Sequence, residues 1–451
     1  MSVATSGEIS PARMIARAKA WLTDEHALTR RMAGAAFLIR VASAAIAYLS
    51  QVLLARWMGE FEFGVYVYVW TWVLLIGGLG DVGLSLAAQR FVPEYIGRKA
   101  FDLLRGFIAG SRALAFVIAT ALAAVSALLV LLLAPWLDHY VVIPLVIACA
   151  SLPFYALTGV QDGIARSYNW TRLALLPLYI VRPLLMIALM LAGVAVGLKA
   201  DSVTAVLAAV AATWLTAIGQ LVAINRRLSQ EVQPGRKLYA PRTWLATSFP
   251  IFMVEGFYLL LTHTDVLVLQ QFRSPEDVAI YYAAAKTLAL VAFVSFSVAA
   301  ATAHKFTEYH VAGDRARLAA MVSQAVRWTF WPSLAATLVI LALGRPFLWL
   351  FGERFTEGYP VMFALAIGLL ARAALGPIER LLNMLGEQRI CAIIYAGAFA
   401  LNLVLCVLLI PRLGAIGAAV ATSTALVVES VLLFVVTKRR LGLHVLIWGP
   451  R

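Results

Sequence analysis

From about residue 32 to residue 437 the chain is written in apolar runs of about 20 residues, separated by short polar or basic connections. Each run is long enough to cross a ~30 Å hydrocarbon core as a helix. Lipid offers a backbone no hydrogen-bond partners, so a spanning segment is either a helix or a strand of a closed barrel. The runs are continuous rather than alternating in twos, which excludes the barrel. Twelve spans are predicted, approximately 32–55, 65–88, 108–133, 140–160, 173–196, 202–224, 246–269, 279–303, 326–344, 360–379, 390–411 and 415–437. The expected fold is an all-α polytopic membrane protein.

The pattern repeats. Phe63-Gly64-Val65-Tyr66 returns 215 residues later as Val278-Ala279-Ile280-Tyr281, with Glu62 on Asp277. Phe91 then falls on Phe306, and at an offset of 217 Gly159 meets Gly376, Asp162 meets Glu379 and Arg172 meets Arg389. Six predicted spans fall in each copy, which supports the count of twelve independently. Duplicated halves in so apolar a chain point to a transporter with its site at the interface between them. The expected organisation is a cytoplasmic segment 1–31, a six-helix bundle 32–224, a linker 225–245, a second six-helix bundle 246–437 and a tail 438–451. Within the first segment, Met14, Ile15, Ala18, Trp21 and Leu22 share one stripe, the pattern of a short helix lying on the bilayer surface. A disordered basic tail is the alternative. No cleavable signal is expected.

Composition agrees with the solvent. Apolar residues make up 62% and charged ones 13%, against roughly 45–50% and 25% in soluble domains. The net charge of +14 is explained by topology: with both termini cytoplasmic, inner segments hold 25 Lys and Arg and outer ones 6. Nucleic acid is therefore not implied as a partner. The three cysteines, Cys149, Cys391 and Cys406, all lie inside predicted spans and form neither a metal cluster nor a disulfide framework. Loops are too short to carry a catalytic domain, so no enzyme, catalytic residue, metal or cofactor is expected. Gly78 to Gly83 fits GxGxxG, but it sits inside a span rather than between a strand and a helix. Its glycines suit close helix packing instead.

Charges within the spans carry the candidate chemistry. An ionisable group near the bilayer centre costs at least ~2.5–3.5 kcal/mol on insertion scales and so faces a cavity or a partner. Arg112 and Arg327, 215 residues apart, open equivalent spans and are read as interface anchors. Arg40, Arg182, Lys286 and Arg372 have no basic counterpart in the other copy. Arg40 lies eight residues into its span, roughly 12 Å deep at 1.5 Å per residue. Asymmetric charge in a symmetric scaffold points to a substrate site, and these four would suit phosphate or pyrophosphate. Internal ion pairing is the structural alternative for each. Arg40 and Glu255 occupy equivalent positions, 215 residues apart, and are a candidate pair across the centre. Glu255, Asp265 and Asp81 are the candidates for ion coupling or gating, with H+ or Na+ as the coupling ion, and Glu429 is a further intramembrane acid.

Leu53-Leu54-Ala55-Arg56, Gly59, Phe63-Gly64 and Tyr66, followed by Asp81, Gly83, Leu84 and Ser85, resemble the first two spans of the polysaccharide transport family. That family includes Wzx-type flippases and belongs to the MOP superfamily, with the multidrug (MATE) exporters and lipid II flippases. The resemblance implies a MATE-like fold of two pseudo-symmetric six-helix bundles, in a bacterial inner membrane. The implied cargo is an undecaprenyl-pyrophosphate-linked oligosaccharide, moved to the periplasmic leaflet for O-antigen, capsule or exopolysaccharide synthesis. Partners would be that lipid, the bilayer, and polysaccharide polymerase and chain-length regulator proteins. Three rivals remain: a lipid II flippase, a cation-coupled small-molecule exporter, and a membrane polymerase or ligase. The exporter would be expected to carry an acid in the first span, where this chain has Arg40. The enzyme would be expected to carry a long periplasmic loop.

Overall fold

The structure, a computed structural model, describes residues 25–311, 314–384 and 387–442. The expected surface helix at 11–22 and the end of the tail lie outside the described residues. In the N-terminal half the helices are α1 (Glu25–Leu79), α2 (Leu84–Gly97), α3 (Phe101–Leu133), α4 (His139–Cys149), α5 (Leu152–Ser167), α6 (Thr171–Leu176), α7 (Arg182–Ala195) and α8 (Ser202–Glu231). In the C-terminal half they are α9 (Pro241–Phe272), α10 (Pro275–Ala289), α11 (Ala292–Val311), α12 (Arg315–Ala342), α13 (Gly344–Trp349), α14 (Tyr359–Ala373), α15 (Ile378–Met384), α16 (Gln388–Leu413) and α17 (Ala415–Leu441).

Among the described residues, nine helices are long and apolar enough to cross a membrane, or ten if the bent pair α4 and α5 is one span. The difference from twelve has local causes. The first expected span and most of the second lie in one helical run, α1, broken at Gly59 with φ 76° and ψ 177°. A side chain would resist that left-handed backbone, whereas glycine does not. The expected fourth span is α4 plus α5, bent by 47°. The expected tenth is α14, only 15 residues long. Gly376-Pro377 interrupts it, because proline removes a donor and disfavours helix in the preceding residue, and α15 then resumes. The expected connection 225–245 is also mostly helical, since α8 runs to Glu231 and α9 starts at Pro241.

Lipid is the solvent of the outer surface. Val117, Val125, Leu128 and Leu132 on α3 are all exposed, an apolar stripe that water would penalise. Inside, three apolar clusters hold the helices together. One is shared by both halves: Tyr48, Met58 and Phe63 pack with Val278, Tyr281, Phe351 and Phe355. A second belongs to the N-terminal half, with Phe91, Phe107 and Trp170, joined by Trp244 of α9. The third lies wholly in the C-terminal half, around Phe306, Leu382 and Tyr395. The halves are therefore knitted together at one end and form separate cores at the other.

Gly64 makes the joined end close. A Cβ there would lie 1.8 Å from the carbonyl oxygen of Pro275, so the start of α10 touches the α1 backbone directly. Small residues at helix crossings permit such approach, and membrane helices use them widely. Arg56 reinforces the contact by donating to the carbonyls of Leu350 at 2.7 Å and Trp349 at 2.5 Å. Glu60 accepts from Arg354 at 2.8 Å across the same seam.

Candidate functional site

Between the halves lies a cavity of about 720 Å³. It begins at Tyr48 and Tyr66, which belong to the shared core, and runs toward Glu379 and Leu433, where the cores of the two halves are separate.

Arg182, Lys286 and Arg372 all line this cavity. Arg182 is the first residue of α7 and follows a π-helical turn, Pro177–Val181. Pro183, next along, cannot donate to the carbonyl four residues earlier, and the wider turn takes up that break. The Arg182 guanidinium carbon lies 5.5 Å from the ring centres of both Trp70 and Tyr155. Its Nη1 is buried without a hydrogen-bond partner among the described residues. Lys286 Nζ lies 4.9 Å from the ring centre of Tyr282, one helical turn earlier on α10. Arg372 lies 5.2 Å over the ring of Tyr258. Each cation thus rests on an aromatic face, which holds it in place while leaving its donors directed elsewhere.

The three differ in charge balance. Arg372 Nη2 donates to Glu379 Oε2 at 3.2 Å, and its Nε lies 3.9 Å from Glu429 Oε1. For Arg182 and Lys286 no carboxylate partner is found within salt-bridge distance among the described residues. Glu379 also lines the cavity and was not singled out by sequence reasoning. A signal was present: the repeat matches Glu379 to Asp162, which pairs with Arg166 four residues on at 2.8 Å. The position matching Arg166 is Asn383, and the second-half acid bonds Arg372 instead. Arg40 lies on α1, but its side chain is outside the described residues.

The three candidate acids are not among the described residues that line the cavity. Glu255 is half-buried on α9. Asp265 Oδ2 accepts from Tyr281 Oη at 2.5 Å and from Thr422 Oγ1 at 3.2 Å, tying α9 to α10 and α17. Asp81 Oδ1 accepts from the backbone N–H of Gly83 at 2.9 Å, fixing the turn between α1 and α2. Arg112, expected at an interface, lies largely between α3 and α8 and donates to Asn225 Oδ1 at 2.7 Å.

Comparison with known proteins extends this picture. Residues 31–303 match the profile described as polysaccharide biosynthesis protein, more than half of the chain. Residues 250–408 match the MatE profile. An uncharacterized membrane protein of Methanocaldococcus jannaschii is 25% identical over 413 residues, covering 84% of this chain and 78% of that protein. Among solved structures, the lipid II flippase MurJ in an inward closed conformation superposes with a TM-score of 0.72 at 17% identity, covering 89% of this chain and 87% of that one. An inward-facing multidrug resistance MATE family transporter of the MOP superfamily gives 0.72 at 14% identity, covering 90% and 98%. At these identities the likeness is one of fold alone.

Proposed function

The chain belongs to the polysaccharide biosynthesis protein family, and from that premise we propose that it is a flippase for an undecaprenyl-pyrophosphate-linked oligosaccharide. It moves the head group from the cytoplasmic to the periplasmic leaflet of a bacterial inner membrane, for O-antigen, capsule or exopolysaccharide synthesis. The organisation is twelve spans in two six-helix lobes, 32–224 and 246–437, with both termini cytoplasmic. The lobes rock against each other about a central site, the head group crossing the cleft while the lipid tail stays in the bilayer.

One observation carries the reading of the cargo. Arg182 lines a cavity that Lys286 also lines, and its Nη1 is buried without a hydrogen-bond partner among the described residues. A buried anion must exchange its water for fixed charge, and a guanidinium offers paired donors to phosphate oxygens. The surrounding rings of Tyr66, Trp70 and Tyr282 suit the apolar faces of sugars. With the termini inside, the joined end is the periplasmic one, and the cavity faces the cytoplasm where the cargo is made. Arg40 is included in the site on the strength of its depth in the span. Glu255 stands as a candidate for coupling to H+ or Na+, whereas Asp81 and Asp265 serve mainly to hold helix junctions.

A lipid II flippase is the second reading, because lipid II carries the same pyrophosphate and the MurJ fold superposes over 89% of this chain. Complementation separates the two. Rescue of glycan export in a strain lacking its oligosaccharide-lipid flippase supports the first reading. Rescue only of a strain depleted of its lipid II flippase replaces it with the second.

A further inference from the structure

Glu429, on α17, is completely buried, and neither of its carboxylate oxygens accepts a hydrogen bond among the described residues. The cation beside it is Arg372, whose Nε is 3.9 Å away. That guanidinium is shared, since its Nη2 donates to Glu379 Oε2 at 3.2 Å on the cavity wall. Among the described residues the other groups near the cluster bring no compensating charge: Tyr395 and Cys391 of α16 lie near Glu429, and Tyr258 of α9 lies under Arg372. One guanidinium between two carboxylates leaves the cluster with a formal charge of −1 when both acids are ionised. Burying a charge that is neither fully paired nor hydrogen-bonded is strongly unfavourable.

We propose that Glu429 is a proton-binding site whose occupancy decides whether Arg372 is free to bind an anion in the cavity. The proton enters from solvent in the cavity and resides on a Glu429 oxygen, and no other bond forms or breaks. The cluster then becomes neutral, and Arg372 keeps only its hydrogen bond to Glu379. Its remaining N–H groups can turn to a phosphate oxygen. Glu379 is partly exposed and accepts the direct hydrogen bond from Arg372. A metal cation does not fit here: the guanidinium occupies the cationic place, and no group of three or more metal-ligating side chains exists among the described residues. Proton and anion therefore bind with positive linkage, and by thermodynamic reciprocity each raises the affinity for the other. The linkage rests on the reading of the cavity as an anion site, whereas the proton site does not.

The test uses the full chain in lipid nanodiscs. Infrared difference spectra on acid–base titration should show, beyond the bands common to all the other carboxyl groups, one protonated carboxyl C=O band in the wild type that is present in Glu379→Gln and absent in Glu429→Gln. Calorimetry with inorganic pyrophosphate, run in two buffers of different ionisation enthalpy, then counts protons taken up per anion bound. The wild type should take up about one proton more than Glu429→Gln, with affinity rising up to about tenfold more per unit fall in pH. Titration of pyrophosphate itself is common to both proteins and cancels in the difference. Wild-type and Glu429→Gln spectra with identical C=O bands, or equal proton uptake by the two proteins, overturn the proposal. Should Glu429→Gln fail to fold, Glu429→Asp must shift the band, and an unmoved band likewise overturns it. The expected band with no pyrophosphate binding by either protein supports the proton site and instead removes the anion reading of the cavity.

Discussion

Arg56, near the end of the first expected span, locks onto Trp349 in the other half of the chain. Its Nη2 donates to the Trp349 carbonyl at 2.5 Å, and its guanidinium carbon lies 4.9 Å from the Trp349 ring centre. Arg56 thus acts as a clasp across the seam where the halves are joined, next to the Glu60–Arg354 pair. In an alternating-access cycle this seam must open. Arg56→Ala should therefore shift the population toward the state open at this end, by about 1–2 kcal/mol for the lost charge-assisted bonds. A cysteine replacing Ser295 in the cavity, in a background without the native cysteines, should react faster with an impermeant thiol reagent added from the side of the joined end. Unchanged reactivity would mean that the clasp does not limit opening.

Gly64 tests the same seam by steric means. Adding a methyl group 1.8 Å from the Pro275 carbonyl oxygen cannot be absorbed by a side-chain rotation, because both neighbours are backbone. Gly64→Ala should cost about 1–3 kcal/mol in the closed state. The same cysteine reporter should show greater access from the side of the joined end, together with a lower thermal midpoint. Gly59→Ala, where a Cβ meets nothing within 4 Å, is strained only by its φ of 76°. It should lose stability without changing access.

Much of this architecture is legible in the sequence, because the hydrophobic period and the duplication act over long stretches. The three described cations came from a single argument, that charge within a span must face something other than lipid. What remained hidden depends on contacts between distant segments. Arg372 was legible as an intramembrane cation, but its hydrogen bond to Glu379 and its 3.9 Å approach to Glu429 were not, since helix packing brings the three together. The repeat even carries a trace of it: Tyr155 occupies the position matching Arg372, and in the structure its ring supports Arg182. The described helices depart locally from twelve continuous spans for a related reason. Gly59 and Gly376-Pro377 interrupt helices without interrupting the apolar run.

Asp265 separates a structural acid from a coupling acid. Its bonds to Tyr281 and Thr422 join three helices at the closed end. Asp265→Asn and Tyr281→Phe should each destabilise the protein. The double variant should lose less than their sum, by about 0.5–3 kcal/mol, because the two act as one contact. Thermal unfolding in detergent gives the cycle. Additive losses would show that the pair is not coupled in the folded state.

Glu255 answers to transport instead. If it couples an ion to substrate movement, Glu255→Gln should abolish the dependence of glycan export on the ion gradient while leaving the protein folded. If it chiefly balances Arg40, the same variant should lose stability, and Arg40→Leu should restore part of it. Gradient-driven export at the wild-type rate by Glu255→Gln removes the coupling role.

The cavity cations carry most of the functional reading, and they can be ranked. Arg182 and Lys286 have aromatic supports and no carboxylate partner within salt-bridge distance among the described residues. Their charge is available to an anion at once. Arg372 is already engaged by two carboxylates. Removing a charge-assisted contact of about 1.5–3 kcal/mol should lower export roughly 10- to 100-fold for Arg182→Gln or Lys286→Gln. Arg372→Gln should also unbalance Glu429 and so reduce protein level, a loss that Glu429→Gln should partly reverse. Arg182→Lys distinguishes the kind of contact: partial rescue indicates paired donation to phosphate oxygens, and full rescue indicates charge alone. Export by a complemented flippase-deficient strain, with protein level measured alongside, provides the readout. Wild-type export from a chain lacking Arg182, Lys286 and Arg372 together would reject an anionic head group as the cargo of this cavity.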